Sequence, residues 1–300
     1  MNHPIHASIN AFNSFQSLLL KGLLLLMATA FVQHAAAQGR TSLATQAAQL
    51  CQEKKLDDAM TTVQLALEDG TEKNQAYTWY VYGFICKEIY KSRESQVRTS
   101  THRMLAIDAF IKAEKMHSNG EVSTNAPLRY LVNTLYNDAL LQASEINLDN
   151  ESSADALFED YRRVAILSNV QLDTEINSNE IQFIKAKAQH FFEIWSAQPE
   201  KEETIQRSVA LYSRLLEINP MDCMTVYNIG VAYFNQAILQ ARAEGLDVMD
   251  MTRTKIAHSY FEKASSLCPD DIMIQTALQL ASKDQPVDKD QTKKLAIKKK

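Results

Sequence analysis

Two prolines 49 residues apart, Pro220 and Pro269, give the chain a ruler. Each closes a stretch in which a small residue is followed four positions later by a ring and seven positions later by an apolar residue: Ser208, Tyr212, Leu215 and then Ala257, Phe261, Ala264. That spacing lines one face of a helix, and proline cannot continue a helix interior. The same Ala/Ser-x₃-bulky-x₂ pattern recurs at Ala59, Ala106, Ala154, Ser208 and Ala257, in steps of 47, 48, 54 and 49 residues. Five units of about 49 residues therefore fill the chain from Thr41 to Pro269. Seven glycines and six prolines in 300 residues are too few for a turn-rich β protein, so long helices are expected.

A second pattern precedes each of the clearest copies. Val226-x₂-Ile229-Gly230-x₂-Tyr233 stands before Ala257, and Trp79-x₂-Tyr82-Gly83 stands before Ala106-x₃-Phe110-x₂-Ala113. Bulky, bulky, Gly, aromatic on one helix and Ala, aromatic, Ala on its partner resembles the tetratricopeptide repeat. The resemblance implies an all-α, right-handed solenoid of about five helix hairpins with a C-terminal capping helix. The small residues Gly83, Gly230, Ala106 and Ala257 let paired helices approach closely, within about 8–10 Å. Phe110, Tyr212 and Phe261 are expected to fill the space between one hairpin and the next.

The remaining units fit less tightly. LDDAMTTVQLALEDG supplies the second helix of the first unit, and Leu128-x₂-Leu131-Val132-x₂-Leu135 the first helix of the third. Ser153 or Asp155 is placed to cap the helix of Ala154, Phe158 and Tyr161. The first helix of the fourth unit reads from Glu180 to Ala197, and Asp270–Lys283 reads as the capping helix. Between Gly83 and Ala106 lie about 11 residues more than the 34-residue family repeat holds, expected as extra helical turns and a short loop.

The first 37 residues read as an export signal. Lys21 is the sole charge before the apolar run from Gly22 to Val32, and Ala35, Ala36 and Ala37 supply small residues for cleavage before Gln38. The run is about half the roughly 20 residues a bilayer crossing needs. The expected organisation is a signal peptide at 1–37, a solenoid at 38–283 and a lysine-rich disordered tail at 284–300. Export places the protein in a periplasm or outside the cell.

Without residues 1–37 the chain carries 30 basic against 36 acidic residues, a net charge of −6. From Lys283 onward there are seven Lys and three Asp, so the body between carries −10. Such a body lacks the clustered cations that nucleic-acid phosphates require. The tail lysines Lys293, Lys294, Lys298, Lys299 and Lys300 have two readings, a solvated terminus or a contact with an anionic membrane surface. Cys51, Cys86, Cys223 and Cys268 contain no C-x-x-C element. Cys223 opens one helix and Cys268 closes its antiparallel partner, so a bridge is geometrically possible; free buried thiols are the expected state.

In tetratricopeptide proteins the first helices line the concave face. Carried over by register, the groove residues are Tyr77, Tyr80, Phe84, Lys87 and Glu88, and Met224, Tyr227, Val231, Phe234 and Asn235. The resemblance implies a scaffold or adaptor that takes a protein or peptide partner there, without catalysis or cofactor. Two other classes stand beside it. One is a structural subunit or homo-oligomer of a cell-envelope complex. The other is a carbohydrate-acting enzyme on a helical superhelix: Glu94-Ser95 and Glu151-Ser152 are similar to the Glu-Ser of lytic transglycosylases, though neither is followed by that family's Gly-rich continuation. The other carboxylates, Glu53, Asp57, Asp58 and Glu88, are scattered as on solvated helix faces. His102, His117, His190 and His258 include no i, i+4 pair, and no HExxH occurs, so no metal site is expected.

Overall fold

The computed structural model describes residues 41–116, 122–243 and 250–282. Among them the chain forms eleven α-helices and no strand: α1 (Leu43–Gln52), α2 (Leu56–Glu68), α3 (Ala76–Ile89), α4 (Thr101–Met116), α5 (Asn125–Ala143), α6 (Glu151–Ser168), α7 (Asp173–Ala197), α8 (Glu202–Ile218), α9 (Cys223–Ala243), α10 (Met251–Leu267) and α11 (Ile272–Ala281). The expected signal peptide and lysine-rich tail lie outside the described residues.

The helices start and stop for local reasons. Ser42 caps α1 by accepting from Thr45 N, and the Glu72 carboxylate accepts from Leu43 N and Ala44 N at 2.9 Å each. Asp222, Asp250 and Asp271 accept backbone N–H groups at the starts of α9, α10 and α11. These carboxylates occupy the positive ends of the helices, where orphan donors need acceptors. Lys54 and Asn169 take the left-handed conformation just after α1 and α6.

Contacts group the chain into two compact units, Met1–Leu131 and Val132–Lys300. In the first, α1 pairs with α2 and α3 with α4. In the second, α7 pairs with α8, α9 with α10, and α11 packs on α10. The C-terminal part of α5 meets α6 through Tyr136 and Tyr161, whose ring centroids are 5.3 Å apart.

The glycines show why the hairpins close. A Cβ on Gly83 would lie 3.0 Å from Phe110 Cδ1, and a Cβ on Gly230 would lie 2.6 Å from Phe261 Cε1. Both rings are fully buried. They pack within their own hairpin, ring edge on glycine, where the sequence placed them between successive hairpins.

Other expectations change in detail. Helix α7 begins at Asp173, seven residues before Glu180, because the Glu175 carboxylate accepts from Leu172 N at 2.9 Å and holds an extra two turns in register. Helix α6 begins at Glu151 with neither Ser153 nor Asp155 as its cap. Asn150 precedes it and accepts from Asn147 N, while Asp155 is drawn to Lys187. The capping helix is shorter than Asp270–Lys283 because Asp271 is itself the N-cap.

The added residues after Gly83 form the expected extra helical turns on both helices and a short loop over 95–100. A π-helical stretch, Tyr90–Glu94, continues α3. Arg103 then fills the space beneath it: fully buried, its guanidinium lies 5.3 Å from the Tyr90 ring centroid and donates to the carbonyl of Arg98. Ser100 and His102 both reach Glu94, at 2.6 Å each.

Cys223 and Cys268 are bridged, with Cα atoms 6.1 Å apart, where free thiols were expected. The antiparallel α9–α10 pair brings the start of one helix beside the end of the other, within bridging distance. Cys51 and Cys86 are free and buried.

Candidate functional site

Helix α3 carries the first set of groove positions. Tyr77, Tyr80, Phe84, Lys87 and Glu88 recur at three- and four-residue steps and share one face. Tyr80 stacks on Phe84 at 6.4 Å and meets Phe110 at 5.7 Å, so the ring row is anchored in the hairpin core. Burial pushes the Tyr80 hydroxyl up to about 12. Tyr77 is likewise raised by burial, opposed by a hydrogen bond to Thr45.

Beyond the rings lies a charged cluster. Lys87 is only 5% exposed, with its ammonium 4.0 Å from the Phe84 ring centroid and 2.8 Å from Glu88 Oε1. Glu88 Oε2 accepts from Lys54 at 3.2 Å. Burial lowers the Lys87 pKa, with Glu88 opposing. Burial alone would raise Glu88, but Lys87 and Lys54 outweigh it and hold the carboxyl below its ordinary value. The Lys87 amine is held over the aromatic face in cation–π geometry. Nearby Cys51 is pushed up to about 11 by burial and the Glu88 charge, which makes it a poor nucleophile.

Of these five residues, Phe84 and Glu88 are half-buried and Tyr77, Tyr80 and Lys87 are buried. The second set sits deeper. Tyr227, Val231 and Phe234 of α9 belong to one buried cluster with Phe192 and Trp195 of α7, Ile205 of α8, Phe261 of α10, and Ile274 and Ala277 of α11. Asn235 is buried too, and Met224 is half-buried. The capping helix explains this: its apolar face joins the cluster that holds Tyr227, and Asp271 at its start adds to the burial that raises the Tyr227 hydroxyl to about 12. The structure thus gathers each set on its own helix face, and the α9 face lies within packed core.

One charged site was not legible in the sequence. Lys187 of α7 is 3% exposed and pairs with Glu151 at 2.7 Å and Asp155 at 2.6 Å. Arg207 of α8 grips Glu151 with two bonds of 2.7 and 3.0 Å. This cluster joins α6, α7 and α8. The available signal was a lysine inside an apolar stripe, between Ile184 and Phe191.

These contacts also bear on the carboxylates weighed for sugar chemistry. A glycosidic general acid needs a raised pKa. Glu94 is lowered by the Ser100 hydroxyl and by His102, and Glu151 is lowered by Arg207 and Lys187 against the effect of burial. Both act here as acceptors that tie elements together. Among the described residues no group of three or more His, Cys, Asp or Glu is placed to hold a metal ion. No described helix is long and apolar enough to cross a membrane.

Adjacent helix pairs, two of them closed by glycine–ring contacts, make the described chain an all-α protein of packed helix hairpins. No protein-family model matches the chain, and no curated protein matches it. Among solved structures it is similar to the crystal structure of YrrB, described as a TPR protein with an unusual peptide-binding site. That match has 17% identity and a TM-score of 0.26, and covers 84% of this chain and 99% of the other.

Proposed function

We propose that the protein is an exported, non-catalytic scaffold or adaptor that binds a polypeptide partner of the cell envelope on the first-helix face of its hairpins. The observation that carries this reading is the α3 face. Phe84 offers a half-exposed ring whose position is fixed by Tyr80 behind it and the Lys87 ammonium against it. Beside it the Glu88–Lys54 ion pair supplies polar groups of both signs, and the Lys54 side chain is 70% exposed. A preorganised aromatic with a polar rim is the arrangement that anchors peptide segments. Binding by this face calls for no cofactor.

Export is supported by the Lys21, Gly22–Val32 and Ala35–Ala37 pattern and by the Cys223–Cys268 bridge, since such bridges persist in oxidising compartments. The α9 face is the weaker candidate, because its side chains already satisfy the core.

The experiment is affinity capture from envelope extract, with wild-type protein and a Phe84→Ala variant that melts at the same temperature. A polypeptide held by the wild type and lost by the variant supports the reading. An identical catch on both, or only a small molecule co-purifying, overturns it. N-terminal sequencing of the exported product checks the rest: Gln38 is expected first, and a product that retains Met1 contradicts processing.

A further inference from the structure

The second unit, Val132–Lys300, leaves nine large apolar residues exposed among those described. Six of them, Ile166, Leu167, Leu172, Ile218, Met221 and Ile272, lie at the same end of its helices. The antiparallel course explains the placement: α6 ends, α7 begins, α8 ends, α9 begins, α10 ends and α11 begins at that edge. The Cys223–Cys268 bridge ties the α9 start to the α10 end, and Lys185 of α7 reaches Asp222 at 2.7 Å.

Three of the six stand out. Leu172, Met221 and Ile272 are 68%, 70% and 82% exposed, while no other large apolar residue in the described chain exceeds 58%. Leu172 and Met221 occupy turns between one hairpin and the next, 49 residues apart, the repeat length itself, and Ile272 opens α11 at the same edge. An exposed aliphatic side chain repeated at one register along one edge marks a surface that something covers. The charge of that edge says what. The segments 169–174, 217–222 and 267–272 hold Asp173, Glu217, Asp222, Asp270 and Asp271 and no Lys or Arg, and with Asp222 already paired to Lys185 the other four carry the negative charge.

The complement is in the chain. Residues 291–300 hold five Lys and no acid, with Leu295, Ala296 and Ile297 set between Lys294 and Lys298. From Ser282, 13 residues lead to Leu295. Extended, they span at most about 43–47 Å, against the roughly 15 Å that α11 occupies from end to start. We propose that this lysine-rich segment docks on the acidic turn edge of its own chain, Leu295 and Ile297 meeting Leu172, Met221 and Ile272 while the flanking lysines meet the turn carboxylates. The contact shields the edge and leaves it available to a competing polypeptide of the same apolar–basic character. Unlike the face proposed above for the partner, it lies at the ends of the helices and not along a first-helix face.

The test is photo-cross-linking in the full chain, with benzoylphenylalanine replacing Ile297, followed by mass spectrometry. Cross-links to the peptides holding Leu172, Met221 or Ile272 are expected, along with their loss in Leu172→Ser/Met221→Ser/Ile272→Ser. All three side chains are mostly exposed, so the variant should melt with the wild type. Three outcomes overturn the proposal: cross-links confined to other faces, cross-links unchanged in the triple variant, or, in mixed heavy- and light-isotope protein, links only between different copies.

Discussion

Replacing Gly230 by alanine tests the hairpin packing at its tightest point. The new methyl would lie 2.6, 2.8 and 3.2 Å from Cε1, Cδ1 and Cζ of Phe261. Carbon atoms attract best at about 3.5–4.0 Å, so the ring must retreat by about 1 Å. It has little room, being fully buried and flanked by Tyr227 and Phe234 at centroid distances of 5.7 and 6.3 Å. Overpacking of this kind costs about 1–3 kcal/mol. Alanine returns about 1 kcal/mol of helix propensity at an interior position. With a contact as short as 2.6 Å the overpacking falls toward the upper part of that range, about 2–3 kcal/mol, so the net expectation is a loss of roughly 1–2 kcal/mol, read by urea unfolding. Gly83→Ala, whose nearest ring contact is 3.0 Å, should cost less. Gly70→Ala has no atom within 4 Å of the new methyl and should be close to neutral. Combining Gly230→Ala with Phe261→Leu should cost less than the sum of the two, since leucine withdraws the ring edge. A Gly230→Ala protein as stable as wild type, or less affected than Gly83→Ala, refutes the reasoning.

Four further outcomes are expected. Phe110→Ala and Phe261→Ala each remove a fully buried ring and should lower stability by about 3–5 kcal/mol in the same assay. Glu151→Gln leaves Lys187 still paired with Asp155 and should cost about 1–3 kcal/mol. Because the Glu151 carboxyl is lowered in the folded chain, its contribution is full above its unfolded value near 4.5 and is lost as pH falls through the folded one; melts across that acid range should show a shallower slope in the variant. Opening the Cys223–Cys268 bridge, 45 residues apart in sequence, should cost roughly 4 kcal/mol on loop-entropy grounds, measured by urea unfolding of a double-alanine variant. Cys51 and Cys86, pushed up to about 11 and about 12, should react with a thiol reagent at neutral pH only after unfolding, and rapid labelling of the native protein would contradict their burial.

The repeat was legible because its residues answer to local rules. Ala106, Phe110, Ala113 and their copies at Ala257, Phe261 and Ala264 pack against the preceding helix whatever lies farther away, so periodicity alone found the hairpins. Groove positions obey a less local rule. Tyr80 and Tyr227 hold the same register, but only the structure shows Ile274 and Ala277 of α11 sharing the core that takes in Tyr227. Long-range charge was hidden for the same reason: Glu151, Lys187 and Arg207 are 36 and 20 residues apart and meet only through the packing of three helices. The bridge fell between these cases, its geometry readable from helix direction and its formation not.

The most direct test of the scaffold reading is calorimetric titration of the captured polypeptide into wild-type protein and into Phe84→Ala. A saturable complex weakened at least about tenfold by the substitution, with both proteins melting together, is the predicted result. Equal affinity for both proteins would contradict it.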